Sequence, residues 1–273
     1  MQRNSVVYIL SFCAVICLVC SVVVSGSAVG LKEKQELNKV LDRQKKVLVV
    51  AGLLKDGEVL LPEQIRARFS KRIKAVVVDL KTGKVDVEAT KNVATYDQKK
   101  ASKDPAQSQE APKNLAGVGR LPNKALVYQV SKGEMDESGQ GFTLDQYIFP
   151  VEGKGLWSTL YGYVAMAPDC NLIKGLEFYQ HAETPGLGGE VDNPKWKGKW
   201  PGKLAFGDLG SDPKQWSKVK IAVLKTGGDG KPHAVDSLSG ATITSNGVTH
   251  LLHFWLGDHG FGPYIQNVAV RPS

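Results

Sequence analysis

The chain has 273 residues, and its clearest lack is charge near the N-terminus, where residues 6–29 carry no Asp, Glu, Lys or Arg. That run is mostly Val, Ile, Leu, Cys and small residues, and it slightly exceeds the ~20 needed to cross a bilayer core. Cysteine is scarce elsewhere. Cys13, Cys17 and Cys20 all lie in the apolar run, which leaves Cys170 alone in the remainder. A single thiol excludes an intrachain disulfide framework there, and it excludes a four-thiolate iron–sulfur cluster. No G-x-G-x-x-G fingerprint is present, because Gly186, Gly188 and Gly189 have the wrong spacing. Neither a nucleophile triad nor a paired-carboxylate motif stands out. His250, His253 and His259 lack the further ligands that a metal site needs, so core or solvent roles are expected for them. The net charge is +8, but the lysines are scattered and form no basic stripe interleaved with aromatics. That distribution speaks against nucleic acid as a partner. With 42% hydrophobic and 23% charged residues, the chain has the composition of a folded protein.

Residues 1–5 form a short tail before the apolar run. The run exceeds the roughly 7–15 residues of a signal-peptide core, so its length predicts a retained transmembrane helix. A cleaved signal is the alternative, with Ser25, Gly26, Ser27 and Ala28 as the processing region. Flanking charges, Arg3 before and Lys32 and Lys34 after, set no orientation.

Residues 31–124 read as a helix-and-strand part. Leu37, Val40, Leu41 and Leu48 recur at near-helical spacing within an amphipathic helix over 31–54. A second helix over 62–72 starts at Pro62, and a strand over 75–80 ends in a turn at Thr82 and Gly83. Residues 97–124 are rich in Lys, Gln, Ser, Ala and Pro and are expected to be a surface excursion or flexible insertion. From residue 125 to 273 the chain becomes rich in strands, over 126–130, 145–149, 161–166, 172–179 and 218–224. The third and fourth of these read as a hairpin across positions 168–171. A helix follows whose apolar face is Val248, Leu251, Leu252 and Trp255, closed by Gly257, Gly260 and Gly262. Strands followed by a terminal helix predict an α+β fold with a mainly antiparallel sheet and flanking helices.

Three segments carry the chemistry. Asp236, Ser239, Gly240, Ala241, Thr242, Thr244 and Ser245 precede that last helix. Small residues admit a bulky group, and free amides at a helix start form an anion site suited to phosphate. An ordinary Ser/Thr N-cap is the plainer reading of the same hydroxyls. His181, Glu183, Thr184, Pro185, Gly186, Leu187, Gly188 and Gly189 form a second, glycine-rich segment. The third comprises Gly155, Leu156, Trp157 and Ser158.

Taken together, Asp-x-x-Ser-Gly-Ala-Thr-x-Thr and Glu-Thr-Pro-Gly-Leu-Gly resemble the FMN-binding domain family. The resemblance implies a soluble FMN-binding domain over 125–273. It also implies FMN joined covalently, through its phosphate, to Thr242 by a flavin transferase. Asp236, Ser239, Gly240 and Ala241 match the rest of the acceptor motif. By the same resemblance Trp157, Glu183, Thr184, Leu187 and Gly188 neighbour the flavin, and Lys225 places a cation near it. The tail, with Trp255, Leu256, Gly257, Asp258 and His259, is similar to the C-subunit branch found in bacterial Na+-translocating NADH:quinone reductases. That branch implies an oxidoreductase and translocase subunit with no complete active site of its own. It implies electron transfer from NADH toward ubiquinone, between an iron–sulfur centre and a second covalent FMN in the B subunit. Sodium export is coupled in the whole complex. The implied partners are the other subunits, and the implied location is the cell inner membrane, single-pass, with the soluble domain in the periplasm. The G subunit of Rnf-type reductases shares both motifs and is an alternative. A membrane-tethered binding module without cofactor is another.

Overall fold

A computed structural model describes residues 5–55, 57–136, 138–207 and 218–269. It divides into two compact units, Met1–Arg43 and Gln44–Ser273.

Helix α1 spans Val6–Val50 without interruption. The apolar run and the amphipathic stretch therefore belong to one helix rather than two. Gly26 and Gly30 each disfavour helix by up to ~1 kcal/mol relative to Ala, but no proline stops the chain between the stretches. At 1.5 Å per residue, positions 6–29 extend about 36 Å, enough for a ~30 Å hydrocarbon core. This helix is long and apolar enough to cross a membrane, and none of its most apolar window is buried within the protein. The helix ends at Val50, and the reading that extended it to Leu54 overshot, since residues 51–54 form a turn.

The second unit is built on a six-stranded sheet. Helix α2, Pro62–Arg72, begins with Pro62 at its first position, and the Leu61 amide donates to Gln64 Oε1 at 3.0 Å. It leads into β1, Ile73–Asp79, and β2, Lys84–Val85. The short helices α3, Val87–Lys91, and α4, Gln98–Ala101, are capped by the carboxylates of Asp86 and Asp97. Strands β3, Ser108–Glu110, and β4, Arg120–Pro122, pair with each other. Residues 97–124 thus contain a short helix and a two-stranded ribbon, and Ala116, Val118 and Leu121 from this stretch join the core. Then come β5, Lys124–Ser131, β6, Leu144–Lys154, β7, Thr159–Met166, and β8, Ile173–Gln180. The sheet order is β2-β1-β5-β6-β7-β8, with every neighbouring pair antiparallel. Because β1 pairs with β5 along its whole length, residues on both sides of position 124 share one sheet.

Beyond the sheet lie α5, Pro194–Lys197, and a parallel pair, β9, Ala222–Leu224, and β10, Ala234–Asp236. The strand expected over 218–224 is shorter, since only its last three residues pair. Helices α6, Thr242–Leu256, and α7, Gly262–Val268, close the chain.

Alternation along the strands places the core. Tyr147, Phe149 and Val151 of β6 join Leu251, Leu252, Trp255, Phe261 and Tyr264 in one buried cluster, the face that the expected Val248–Leu252–Trp255 stripe supplies. α6 lies very close to β6: a Cβ on Gly153 would stand 2.5 Å from Leu251 Cβ, and one on Gly247 would stand 2.3 Å from the Lys154 carbonyl oxygen. The Trp255 indole donates to the Glu152 carbonyl at 2.7 Å and pins the helix in that position. On the opposite face, the Gln146 amide donates to the Ala51 carbonyl at 2.8 Å. The tight packing fixes the start of α6 relative to the end of β6.

Candidate functional site

β10 delivers the chain to the acceptor segment. The Asp236 carboxylate accepts from the Gly228 amide at 2.6 Å, and the Asp236 amide donates to Asp229 at 2.7 Å. The Trp196 indole donates to the Asp236 carbonyl at 2.9 Å. Asp236 is thus tied into the loop that precedes it, and its oxygen holds a backbone turn. The next amide, Ser237, donates to the Leu224 carbonyl at 2.7 Å, and the Ser237 hydroxyl to the Lys225 carbonyl at 3.4 Å. Lys225 is therefore a main-chain neighbour of the segment, with an exposed side chain.

Gly240 has φ = +70°, a left-handed conformation that glycine adopts without strain. Ala241 then takes the N-cap position of α6 and Thr242 the first helical position. No side chain caps this end. The Ser/Thr N-cap reading therefore does not describe this helix, whose cap is a methyl side chain. No side-chain cap satisfies its first-turn amides, the arrangement that favours an anion.

The hydroxyls of the motif divide sharply. Ser245 is buried, and its Oγ accepts from the Leu238 amide at 3.1 Å. Thr244 is buried and donates to Glu183 Oε2 at 2.7 Å. Thr242 and Ser239 are exposed. Of the two threonines, only Thr242 is exposed, and it stands at the positive end of the helix dipole.

Glu183 sits beneath this helix start at 6% exposure. Its carboxylate also accepts from the amides of Leu156 at 3.2 Å, Trp157 at 3.0 Å and Ser158 at 3.0 Å, and from the Ser158 hydroxyl at 3.0 Å. Burial pushes the Glu183 carboxyl up. The donors from Thr244, Trp157, Ser158 and Leu156 outweigh that and hold it below the ordinary carboxylate value. Thr184 is exposed, and its carbonyl accepts from Leu187 at 3.1 Å and Gly189 at 2.9 Å, closing a tight turn. Leu187 lies against Gly240, where an added Cβ would be 3.0 Å from its Cδ2. Gly188 is buried against Glu183 and Thr244.

The three sequence segments thus converge. Thr242, Gly240 and Ala241, the turn around Leu187 and Gly188, and the Trp157 turn share Glu183 or touch one another. Around them stand exposed apolar side chains: Trp157 at 71%, Ile243 at 57%, Leu187 at 45% and Leu156 at 43%. Sequence reasoning named Leu156 within its segment without a role and did not single out Ile243. Ile243 had a signal, since it is an aliphatic residue off the buried stripe of an amphipathic helix. Nothing in the local sequence separates Thr244 from the other hydroxyls at this helix start, because its partner, Glu183, lies 61 residues away. His253 is held by a 2.8 Å contact between Nε2 and the Ile221 carbonyl, and burial pushes its pKa down.

The FMN-binding domain family matches residues 155–257, the span that holds all three segments. The chain is 46% identical over 255 residues to the C subunit of the Na(+)-translocating NADH-quinone reductase of Vibrio anguillarum, covering 92% of this chain and 90% of that protein. It is 43% identical to the corresponding C subunit of Pseudomonas aeruginosa, over 93% and 92% of the two chains. Among solved structures, that of Shewanella oneidensis NqrC superposes with a TM-score of 0.70 at 36% identity, over 86% of this chain and 98% of that one. These relatives are named for the Na(+)-translocating reductase rather than for the Rnf-type one, and their likeness runs through the N-terminal region as well as the flavin motifs. The chain belongs to the family of C subunits of the Na(+)-translocating NADH-quinone reductase.

Proposed function

We propose that this chain holds one FMN through a phosphoester to Thr242 and acts as an electron-relay subunit of a Na+-translocating NADH:quinone reductase. The observation that carries the reading is the exposed Thr242 hydroxyl at the first position of a helix with no side-chain cap. The residues present fit the group. First-turn amides of α6 that no side chain caps suit the phosphate, and the left-handed Gly240 shapes the turn that leads into them. Trp157, Leu187 and Ile243 offer apolar surface to a flat ring, with Thr184 supplying a hydroxyl and Gly188 letting Glu183 and Thr244 meet beneath it. Ser239, Ala241 and Asp236 shape the acceptor segment for a flavin transferase, and Lys225 lends positive charge at its edge.

When bound, FMN supplies one- and two-electron redox chemistry, while the chain supplies placement and electrostatics. The rest of the reading follows the family. α1 anchors the chain in the bacterial inner membrane by a single pass, and the second unit works in the periplasm. Electrons run from NADH toward quinone through partner subunits, and the complex as a whole couples that flow to sodium export.

Intact-mass measurement of the chain made with a flavin transferase tests this directly. The expected product is heavier by FMN less one water, with the addition mapped to the peptide at Thr242. An unmodified chain, or flavin on Thr244 or Ser245, overturns the assignment.

A further inference from the structure

We infer that Glu183 and Thr244 form a positioning clasp that locks the ring-facing turns to the helix bearing the flavin anchor, with neither residue contacting the flavin itself. The inference rests on the proposed attachment at Thr242 and adds to it how the surrounding surface is held in place.

A carboxylate has about four lone-pair positions. In Glu183 five protein donors occupy them: three amides, one serine hydroxyl and the Thr244 hydroxyl. Little acceptor capacity is left for a ring heteroatom, and the side chain is buried beneath the site. The donors come from positions 25–27 residues before Glu183 and 61 residues after it, so one carboxylate joins three separate segments. Ser158 extends the clasp, because its oxygen also accepts from the Ala182 amide at 2.9 Å.

Two glycines make room for this arrangement. A Cβ on Gly155 would stand 2.7 Å from Glu183 Oε1, and one on Gly188 would stand 2.6 Å from both Glu183 Oε2 and Thr244 Oγ1. These glycines are thus required by the clasp whether or not flavin is present. Its mechanical consequence is specific. The amide of Trp157 is fixed while the residue stays 71% exposed, and Thr244 sits two residues after the anchor Thr242. A phosphoester alone restrains one end of a long flexible chain, leaving the ring free to sample many positions. The clasp holds the apolar surface at a set distance from that tether, so the surface is preorganised before the cofactor arrives.

The test uses the full chain in detergent, made with and without a flavin transferase, as wild type, Thr244→Val, Thr244→Ser and Glu183→Gln. In the flavin-free chain, amide exchange at positions 156–158 should rise roughly ten-fold in Thr244→Val, corresponding to about 1.4 kcal/mol for one charge-assisted hydrogen bond. Thr244→Ser keeps the donor and should behave as wild type. In the loaded chain the flavin should still map to Thr242. Its emission should be quenched more steeply by iodide, and its midpoint potential displaced, in Thr244→Val and Glu183→Gln but not in Thr244→Ser. Unchanged exchange, quenching and potential in Thr244→Val would overturn the clasp. Thr244→Val leaves four of the five donors in place, so it carries the test even if Glu183→Gln does not fold. If wild type carries no flavin at all, the attachment reading fails, while the exchange measurement still decides the clasp.

Discussion

Replacing Gly247 by alanine sets helix propensity against packing, and the two predict opposite signs. In an exposed helix interior the change stabilises by up to ~1 kcal/mol. Gly247, however, is buried in α6, and the added methyl would stand 2.3 Å from the Lys154 carbonyl oxygen and 3.4 Å from Gly155 Cα. Reaching even 3.0 Å requires a separation of 0.7 Å (3.0 minus 2.3) between helix and strand, and the blocking atoms are backbone. A comparable shift would stretch the bond from the Trp255 indole to the Glu152 carbonyl from 2.7 Å to about 3.4 Å, past the usual hydrogen-bond range. Overpacking of this kind destabilises by ~1–3 kcal/mol, and the weakened bond adds about 1. After the propensity gain is subtracted, the net loss is about 1–3 kcal/mol. For a unit of this size each kcal/mol lowers the melting temperature by roughly 2–4 °C. Thermal unfolding of the full chain in detergent, followed by circular dichroism, should therefore show a drop of a few to about ten degrees. A melting temperature equal to or above wild type would show that propensity wins and refute the close approach of α6 to β6.

Thr242→Ala should abolish flavin attachment while leaving thermal stability within about 0.5 kcal/mol of wild type, since its hydroxyl is exposed and caps nothing. In Leu187→Ala and Thr184→Val the flavin should remain attached with altered absorption or midpoint potential; unchanged values in both would place that turn away from the ring. The lowered Glu183 pKa has a definite sign: its stabilisation is present above the unfolded-state value and is lost as pH falls through the lower folded value. Glu183→Gln should accordingly flatten the acid limb of the stability–pH curve, and an unchanged limb would assign the loss to other carboxylates. Burial pushes the Cys170 thiol up, so native protein should resist alkylation there until it is unfolded, as quantified by mass spectrometry of the labelled peptide. N-terminal sequencing should find the apolar run retained, whereas a mature end near Ala28 would identify a cleaved signal.

Much of this protein was written in local pattern. The uncharged, proline-free run over residues 6–29 specifies a long apolar helix, because its length and continuous apolarity exceed what a strand holds. Short runs rich in β-branched and aromatic residues marked β5 to β8, and the stripe of Val248, Leu251, Leu252 and Trp255 marked both α6 and its buried face. Pro62 marked the start of α2 to the residue. These signals survive in sequence because each reflects interactions between residues fewer than about eight positions apart. Continuity of α1 did not, since small residues around Gly26 and Gly30 look alike whether they break a helix or lie within one. The parallel pairing of three-residue β9 and β10 was equally silent, as so short a run shows no period. The roles of the hydroxyls needed the tertiary structure most. Thr242, Thr244 and Ser245 are chemically near-equivalent in a string of letters. Folding turns Thr242 outward at an uncapped helix start, gives Thr244 to Glu183 across 61 residues, and buries Ser245 beneath Leu238. Which hydroxyl meets solvent depends on helix phase and on what packs beneath it, and both are set only when α6 docks on β6.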